Sequence, residues 1–577
     1  MDELKEVVKK ASKDLFGVDI EPELARPEEQ FGDYSTNVAL QLAAQLDNPP
    51  AGGPREIAEQ LSKSVIGLTY HIKKVKVAGP GFINFWLADS VLLDELSKVD
   101  SSYGKNQLHA GKTVVAEYSD PNPFKVLHVG HLYTSVVGDS IAKLFEAAGA
   151  NVHRVNFGGD VGLHVAKTMW AIIGKLEGEH PEKLAKIPAE KRADWLAKEY
   201  VTGSLAYGDD KRIDDEIEEL NKRIYQIQND QDKTSELARI YWTTRQWSYD
   251  YFDEFYKRIG SGFEKYYPES ATVEPGMKIV KANIGKVFEK SDGAVVFKGE
   301  VHNMHTRVFI NSQGLPTYET KDVGLILKKW EDYHFDRSVV ITANEIYEYM
   351  QVVLKAVEQF APDLVQKTTH ITHGLVKLAA ESPEQGRRSG TKMSSRSGNI
   401  IGAEEVLDAA MTANKQINQQ ENADTALGAV KYAFLKNRIG ADIIFDPAES
   451  VSLQGNSGPY LQYALVRAKS ILRKSSVPSP QSLAKDSQLT ALNSSERSLA
   501  RKLGEYPEVV EKAVTELMPH HVCTYLYELA QIFNRFYESN HVIGDPRESL
   551  RLKLVQAYAQ VLKNGLGLLN IPAPERM

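Results

Sequence analysis

Two histidines three residues apart, His128 and His131, flank Gly130 in the stretch SDPNPFKVLHVGHLYTSVVGDSIAKLF, residues 119–145. Asp120-Pro121-Asn122-Pro123 ahead of them is turn chemistry. The apolar residues behind them (Leu132, Val136, Val137, Ile141, Leu144, Phe145) repeat on one side of a helix. A helix start offers unpaired N–H groups and a positive dipole end, which suits a phosphate. Histidines placed there can donate hydrogen bonds to a nucleotide's phosphates, and a glycine lets a flat group approach the backbone. Two other readings stay open at this point. The pair could be ordinary capping or core histidines, or it could hold a metal, because His at i and i+3 share a helix face. Neither HExxH nor a third ligand at metal spacing accompanies them. A second stretch, GRRSGTKMSSRSGNI at 386–400, carries Arg387, Arg388, Lys392 and Arg396 among glycines and serines, with no acid. Such a loop suits charge stabilisation on a pentavalent phosphate; by itself it reads more readily as a solvated flexible loop.

These residues need elements to position them. GKTVVAEYSD, from 111, has the pattern of a buried strand, and ANVHRVNFGGDVG that of another strand ending in a glycine turn. With the intervening helix they make strand, helix, strand, the unit of a parallel sheet, whose strand C-termini are where ligands bind. A long polar helical segment at about 172–270 interrupts the sheet. Strands resume with GAVVFKGEV and HTRVFINSQGLPTYET, and RSVVITAN (337–344) and TTHITHGLVKL (368–378) read as core strands. From about 400 helical periodicity dominates, with SSVPSPQSLAKDSQ (475–488) as a loop inside it. Residues 1–105 combine an amphipathic helix with HIKKVKVAGPGFINFWL, a strand–turn–strand with a lysine-rich edge. That edge reads either as protection against aggregation or as a nucleic-acid contact.

Bulk properties bound the function. At 577 residues the chain is too long for one core, so about three or four domains are expected. Its 42% hydrophobic and 25% charged residues are those of a soluble globular protein. No apolar run reaches membrane-spanning length, and the charged amphipathic N-terminus is not a signal peptide. A single cysteine, Cys523, rules out an internal disulfide framework and a multi-cysteine zinc site, and fits a reducing, cytoplasmic setting. Cys523 itself reads as a small core residue. The net charge of −8 neither advertises nor excludes nucleic-acid binding, which depends on local patches.

HVGH and KMSS, in this order and some 260 residues apart, resemble the HIGH and KMSKS signatures of class I aminoacyl-tRNA synthetases. The resemblance sharpens to the arginyl-tRNA synthetase family through FGDYSTNVAL (31–40), GPGFINF (79–85), SDPNPFKVLHVGH, VNFGGDVG (155–162), YETKDVG (318–324), GPYLQYALVRA (458–468) and the terminal PERM. It implies an α/β fold with a class I Rossmann-like parallel-sheet catalytic domain over 106–400, holding the helical insertion at about 172–270. It further implies an N-terminal α/β additional domain over 1–105, a helical connector over 401–449, and an all-α anticodon-binding domain over 450–577. The implied activity is ligation of arginine to tRNA. Other class I synthetases, a small adenylyltransferase and a catalytically silent tRNA-binding paralogue are the rival readings.

The resemblance also implies roles. A guanidinium is planar and permanently charged, so its pocket wants a carboxylate and oriented acceptors. Tyr318 and Asp322, at i and i+4, would share a helix face and hold the arginine side chain; without the resemblance Asp322 reads as a surface partner. Asn122, with Asp120 and Glu117, would hold the α-amino end, with His131 in reach. ATP would lie above the helix start, its adenine against Gly130 and its phosphates near His128 and His131. Gly159 and Asp160 would wall the site, with Asn344 and the loop residues Lys392, Met393, Ser394, Ser395 and Arg396 also on the nucleotide. Ser395 replaces the second lysine of KMSKS, and Lys125, three residues before His128, is expected to take that transition-state role with Lys392 and Arg396 assisting. Asp120 stands where the family more usually has serine. Ile346 stands where some members carry a glutamine for substrate, leaving Asn344 or Glu345 to serve. Asn84 would contact the tRNA D-loop, and Tyr460, Ala464, Tyr537 and Met577 would enclose an anticodon base. The expected partners are L-arginine, ATP as its Mg2+ complex, and tRNA(Arg), with activation requiring bound tRNA. No protein-bound metal and no membrane are expected, and the enzyme is expected to be a cytoplasmic monomer.

Overall fold

The computed structural model describes residues 2–68, 71–379, 401–419, 421–475 and 491–577. Lys392, Met393, Ser394, Ser395 and Arg396, and the Ser/Pro-rich stretch from 476 on, lie outside the described residues. The chain divides into two compact units: Met1–Tyr103 with Ala464–Glu508 and Tyr525–Asn564, and Gly104–Tyr463 with Val509–Thr524 and Gly565–Met577. No described helix is long and apolar enough to cross a membrane.

In the first unit, strands β1 (Tyr34–Thr36), β2 (Ile72–Ala78) and β3 (Phe82–Leu87) form an antiparallel sheet in the order β1-β3-β2. The expected strand–turn–strand is present, with Gly79 at φ 54° in its turn and the lysines on edge strand β2. Val8, Val38, Leu42, Ile57, Leu61, Ile83 and Phe85 fill the core behind it. The FGDY stretch turns out to be a packing device. Asp33 accepts from the Leu87 N–H at 2.7 Å and pairs with Arg497 at 2.5 Å, while Arg497 also reaches Asp89 at 2.6 Å. Arg26 lies over the Tyr34 ring and pairs with Glu508 at 2.8 Å. Within this unit these charges lock the N-terminal sheet to the helix Ser494–Leu503 and to Glu508.

The second unit is built on β4 (Thr113–Glu117), β5 (Asn151–Gly158) and β6 (Lys265–Pro268). The short strands β7 (Glu289–Ser291), β8 (Ala294–Phe297) and β9 (Arg307–Ile310) follow, then β10 (Arg337–Ala343) and β11 (Thr368–His373). The main sheet has the order β11-β10-β4-β5-β6, with every pair parallel. Chain order reverses between β4 and β10, so the switch point, where open α/β sheets bind ligands, lies at the C-terminal ends of these two strands. Buried Val115, Val155, Val340 and Val353 pack on Phe288, Phe309 and Val323 beneath it. Two sequence expectations need correction. The helical insertion ends before Lys265, because Gly260 closes the Glu236–Ile259 helix in the left-handed conformation (φ 64°) and Lys265–Pro268 then pairs with β5. The 294–310 strands join β7 in a separate antiparallel sheet instead of resuming the parallel one. β12 (Val376–Leu378) pairs in parallel with β13 (Ile443–Phe445).

Candidate active site

β4 runs into a turn held against its own preference. Ser119, Asp120 and Phe124 have φ of 75°, 50° and 70°, each costing about 1–3 kcal/mol for a residue with a Cβ. Neighbours impose the turn. Asp120 Oδ1 accepts from the Phe157 N–H at 2.8 Å and Asn122 Oδ1 from the Gly159 N–H at 2.8 Å. The Phe124 N–H donates to Ser248 Oγ at 2.9 Å. A Cβ on residue 159 would sit 2.6 Å from Asn122 Oδ1, so this contact requires glycine. The two predicted turns, PNP and FGGD, are thus one structure.

The Val129–Ala147 helix starts on the histidines themselves. His128 is its N-cap, with Nδ1 accepting from the Gly130 N–H at 3.1 Å, while His131 Nδ1 accepts from the His128 N–H at 3.1 Å. An Nδ1 that accepts carries no proton, so both rings hold theirs on Nε2. Burial and the nearby Lys125 bring His128 down to about 4, and hold His131 well below the usual imidazole range through burial, His128 and Lys125. Both are therefore neutral donors at physiological pH. The capping reading and the phosphate reading describe opposite edges of the same rings. A Cβ on Gly130 would lie 2.8 Å from His128 Cε1, so the open space expected there is occupied by that ring. Lys125 Nζ rests over the Tyr200 ring at 4.8 Å, and among the described residues it has no carboxylate partner. No group of three potential metal ligands occurs among the described residues.

Below the turn lies a cluster of acids. Glu117, at the end of β4, is buried and paired with Lys329, which also donates to Ser338 Oγ at 3.1 Å. Expected beside a substrate amine, Glu117 meets this resident lysine in the structure. Asp160, expected in the wall of the site, is fully buried: it accepts from Arg245 Nε at 2.9 Å and from the Ser270 N–H and hydroxyl at 2.9 and 2.8 Å, joining the insertion to the Glu269–Ala282 helix. Glu269 pairs with Lys321, and Glu319 with Arg307 at 3.4 Å. Two acids, Asp120 and Asp322, have no ion-pair partner among the described residues, although Lys329 is near enough to Asp120 to favour its charged form. Burial, then Glu117, pushes the Asp120 carboxyl well above the usual range. Burial pushes Asp322 up to about 8 despite a hydrogen bond from the Tyr349 hydroxyl to its Oδ2.

Tyr318 and Asp322 both lie in the Tyr318–Tyr333 helix. Tyr318 is 52% exposed, whereas Asp322 is buried and not a surface partner. The Tyr318 hydroxyl meets His164 Nδ1 at 3.3 Å. His164 Nε2 donates to the Gly159 carbonyl at 2.8 Å, and burial with Lys125 holds this ring to about 3. His164, Tyr200 and Tyr349 escaped the sequence reading; only the nearness of His164 to the glycine turn hinted at any of them. Asn344 is exposed, with its Nδ2 donating to the Gly440 carbonyl at 3.2 Å, and Glu345 and Ile346 are exposed beside it. Asn84 and Ala464 are buried at 5% and 2% exposure, whereas Tyr537 is 40% exposed and stacks on Phe533. Tyr460 and Met577 fall in the second unit, Ala464 and Tyr537 in the first. Cys523 is buried, its thiol pushed far up by that burial.

A parallel sheet whose switch-point turn feeds HVGH into a helix is the catalytic architecture of class I aminoacyl-tRNA synthetases, which use ATP. Three family profiles match the chain in order: Arginyl tRNA synthetase N terminal domain over 2–87, tRNA synthetases class I (R), catalytic domain over 93–446, and DALR anticodon binding domain over 461–577. The arginine–tRNA ligases of Treponema denticola and Clostridium perfringens are each 30% identical, over 96% of this chain and 94% and 95% of theirs. The arginyl-tRNA synthetase structure of Thermus thermophilus has a TM-score of 0.77 at 24% identity, covering all of both chains. That of Plasmodium falciparum has a TM-score of 0.77 at 19% identity, covering 100% and 99%. The chain belongs to the arginyl-tRNA synthetase family.

Proposed function

We propose that the chain activates L-arginine with MgATP and transfers it to tRNA(Arg). The observation that carries the substrate assignment is the pair of buried acids without an ion-pair partner, Asp120 and Asp322, beneath a row of neutral Nε2–H donors. A burial that raises both carboxyls is relieved by a ligand with two positive charges, and arginine has an α-ammonium and a guanidinium. In this reading Asp120 and Asn122 receive the ammonium, and Asp322 and the Tyr318 hydroxyl the guanidinium. Glu117 acts on the ammonium only through the field it shares with Asp120.

A carboxylate oxygen of arginine attacks the α-phosphorus of ATP, the bond to the bridging oxygen breaks, and pyrophosphate leaves with Mg2+. Charge gathers on the phosphate oxygens as this happens. His128 and His131 donate to them through Nε2–H, and Lys125 swings from Tyr200 to add positive charge; Lys392 and Arg396 assist in that role, and Met393, Ser394 and Ser395 are assigned with them to nucleotide binding. The nucleotide lies over the Gly130 helix start, with Gly159 and Asn344 bordering it and Asp160 holding that border from behind. Positioning and fixed dipoles suffice for such a step, with no protein nucleophile. A ribose hydroxyl of the tRNA terminal adenosine then attacks the arginyl carbonyl, loses its proton, and AMP leaves.

Tyr460, Ala464, Tyr537 and Met577 are assigned to the anticodon and Asn84 to the D-loop side of the N-terminal sheet, which for the buried Asn84 means shaping that surface. The enzyme works as a cytoplasmic monomer in this reading. The deciding test is amino-acid-dependent pyrophosphate exchange over a panel of amino acids, with and without tRNA(Arg). Exchange with arginine alone, and only with tRNA present, is expected. Exchange with another amino acid would overturn the pocket assignment, and tight tRNA binding with no exchange at all would point to a silent paralogue.

A further inference from the structure

We infer that Tyr349 is a positioning residue for arginine selection: its hydroxyl fixes the Asp322 carboxylate, and its ring keeps the chain's own Arg307 from occupying it. The inference rests on the proposed pairing of Asp322 with the substrate guanidinium. Tyr349 comes from the Tyr347–Glu358 helix that follows β10, three residues after the exposed Ile346. Its hydroxyl donates to Asp322 Oδ2, which leaves Oδ1 and the outer lone pair of Oδ2 for a ligand. On the face of the same ring sits Arg307, with its Cζ 5.2 Å from the centroid. Arg307 reaches Glu319 only at 3.4 Å, and its buried Nε has no acceptor among the described residues. A half-satisfied guanidinium and a cation-free carboxylate thus lie on two sides of one aromatic residue and do not pair.

The groups around Asp322 come from every neighbouring element. Glu319, Lys321 and Lys329 lie on its own helix, Lys321 paired with Glu269 of the Glu269–Ala282 helix and Lys329 with Glu117 of β4; Asp120 follows β4, and Tyr349 comes from the Tyr347–Glu358 helix. Of these, the Tyr349 hydrogen bond favours the ionised form, whereas the three glutamates oppose it. Removing the hydroxyl therefore raises the pH at which Asp322 ionises and weakens arginine binding at neutral pH. A hydrogen bond to a charged group carries about a tenfold to hundredfold effect on binding.

The test is arginine-dependent pyrophosphate exchange by the full chain with tRNA(Arg), comparing Tyr349→Phe, Asp322→Asn and the double variant. Tyr349→Phe is expected to raise the arginine KM about tenfold and leave kcat and the ATP KM within about twofold. It should also move upward the pH below which the arginine KM climbs. In the Asp322→Asn background it should add nothing, because the group through which it acts is gone. If Asp322→Asn raises the arginine KM and Tyr349→Phe moves neither that KM nor the pH dependence, the inference is wrong and the pocket assignment stands. If Asp322→Asn itself leaves the arginine KM unchanged, the pocket assignment fails and the inference with it. A parallel loss in kcat, ATP KM and thermal midpoint on Tyr349→Phe would make Tyr349 a general packing residue and overturn the inference as well.

Discussion

Titration at single residues separates the two halves of the site. His128 and His131 stay neutral through the physiological range because burial and Lys125 hold them down. The pH dependence of arginine use should therefore come from acids. Asp322 ionises only as pH rises through about 8, and the guanidinium needs the ionised form. The arginine KM is expected to climb as pH falls below 8, by up to about tenfold per unit, while kcat changes little; a flat arginine KM from pH 6 to 8 would contradict this. The same shift has a stability consequence of opposite sense. The folded state keeps a proton on Asp322 that the unfolded chain releases near 4, so stability is lost as pH rises between those values. Asp322→Asn should accordingly raise the thermal midpoint at pH 8, by ~2 °C or more, while impairing arginine binding. Calorimetry of both proteins at pH 5 and 8 checks the sign, with the larger difference expected at the higher pH.

Elements matter here through the contacts that hold their ends. The Val129–Ala147 helix is capped through Nδ1 of the histidines whose Nε2 the proposed reaction uses, so cap and proposed phosphate contact share the same rings. Gly130→Ala puts a methyl group 2.8 Å from His128 Cε1, and a ring at the end of a flexible side chain can swing away cheaply. The expected cost in stability is about 1 kcal/mol, the loss of a cap. The expected cost in kcat for exchange is far larger, about a hundredfold, because the displaced Nε2–H no longer meets the phosphate. Equal small losses in both measurements would mean that His128 is a cap and nothing more. The insertion contributes in a comparable way: Tyr200, from the Arg192–Ala206 helix, gives Lys125 its resting place.

Across the whole molecule, charge pairs far apart in sequence hold each unit together. In the first unit Asp33 sits between Leu87 and Arg497, so replacing it leaves a mostly buried guanidinium short of a partner. Asp33→Asn is expected to destabilise that unit by about 3 kcal/mol and to leave the arginine and ATP KM values in exchange unchanged, since the exchange chemistry lies in the other unit. Thermal unfolding with exchange kinetics on the same sample tests this; an altered arginine KM would show that the two units are not independent in function. In the second unit Asn570 donates to Asp139 at 3.1 Å and Lys431 to the Asn570 carbonyl at 2.7 Å, so the C-terminal segment is fastened to the helix that carries HVGH.

What the sequence determined by itself was local. The turn before HVGH, the helix after it, the strands at 113–117 and 337–343, and the shared helix of Tyr318 and Asp322 are written in neighbouring residues, where periodicity and turn chemistry act within a few positions. The short strand 265–268 was hidden because four residues following an aromatic-rich helix carry too little pattern. The charge compensation inside the site was decided only by tertiary structure. Glu117 meets Lys329 across more than two hundred residues, Asp160 meets Arg245 and Ser270, and Asp322 meets Tyr349 from a different helix. Whether a carboxylate faces a resident lysine or waits for a substrate cation depends on which groups share its low-dielectric surroundings, and that is fixed only once the elements have packed.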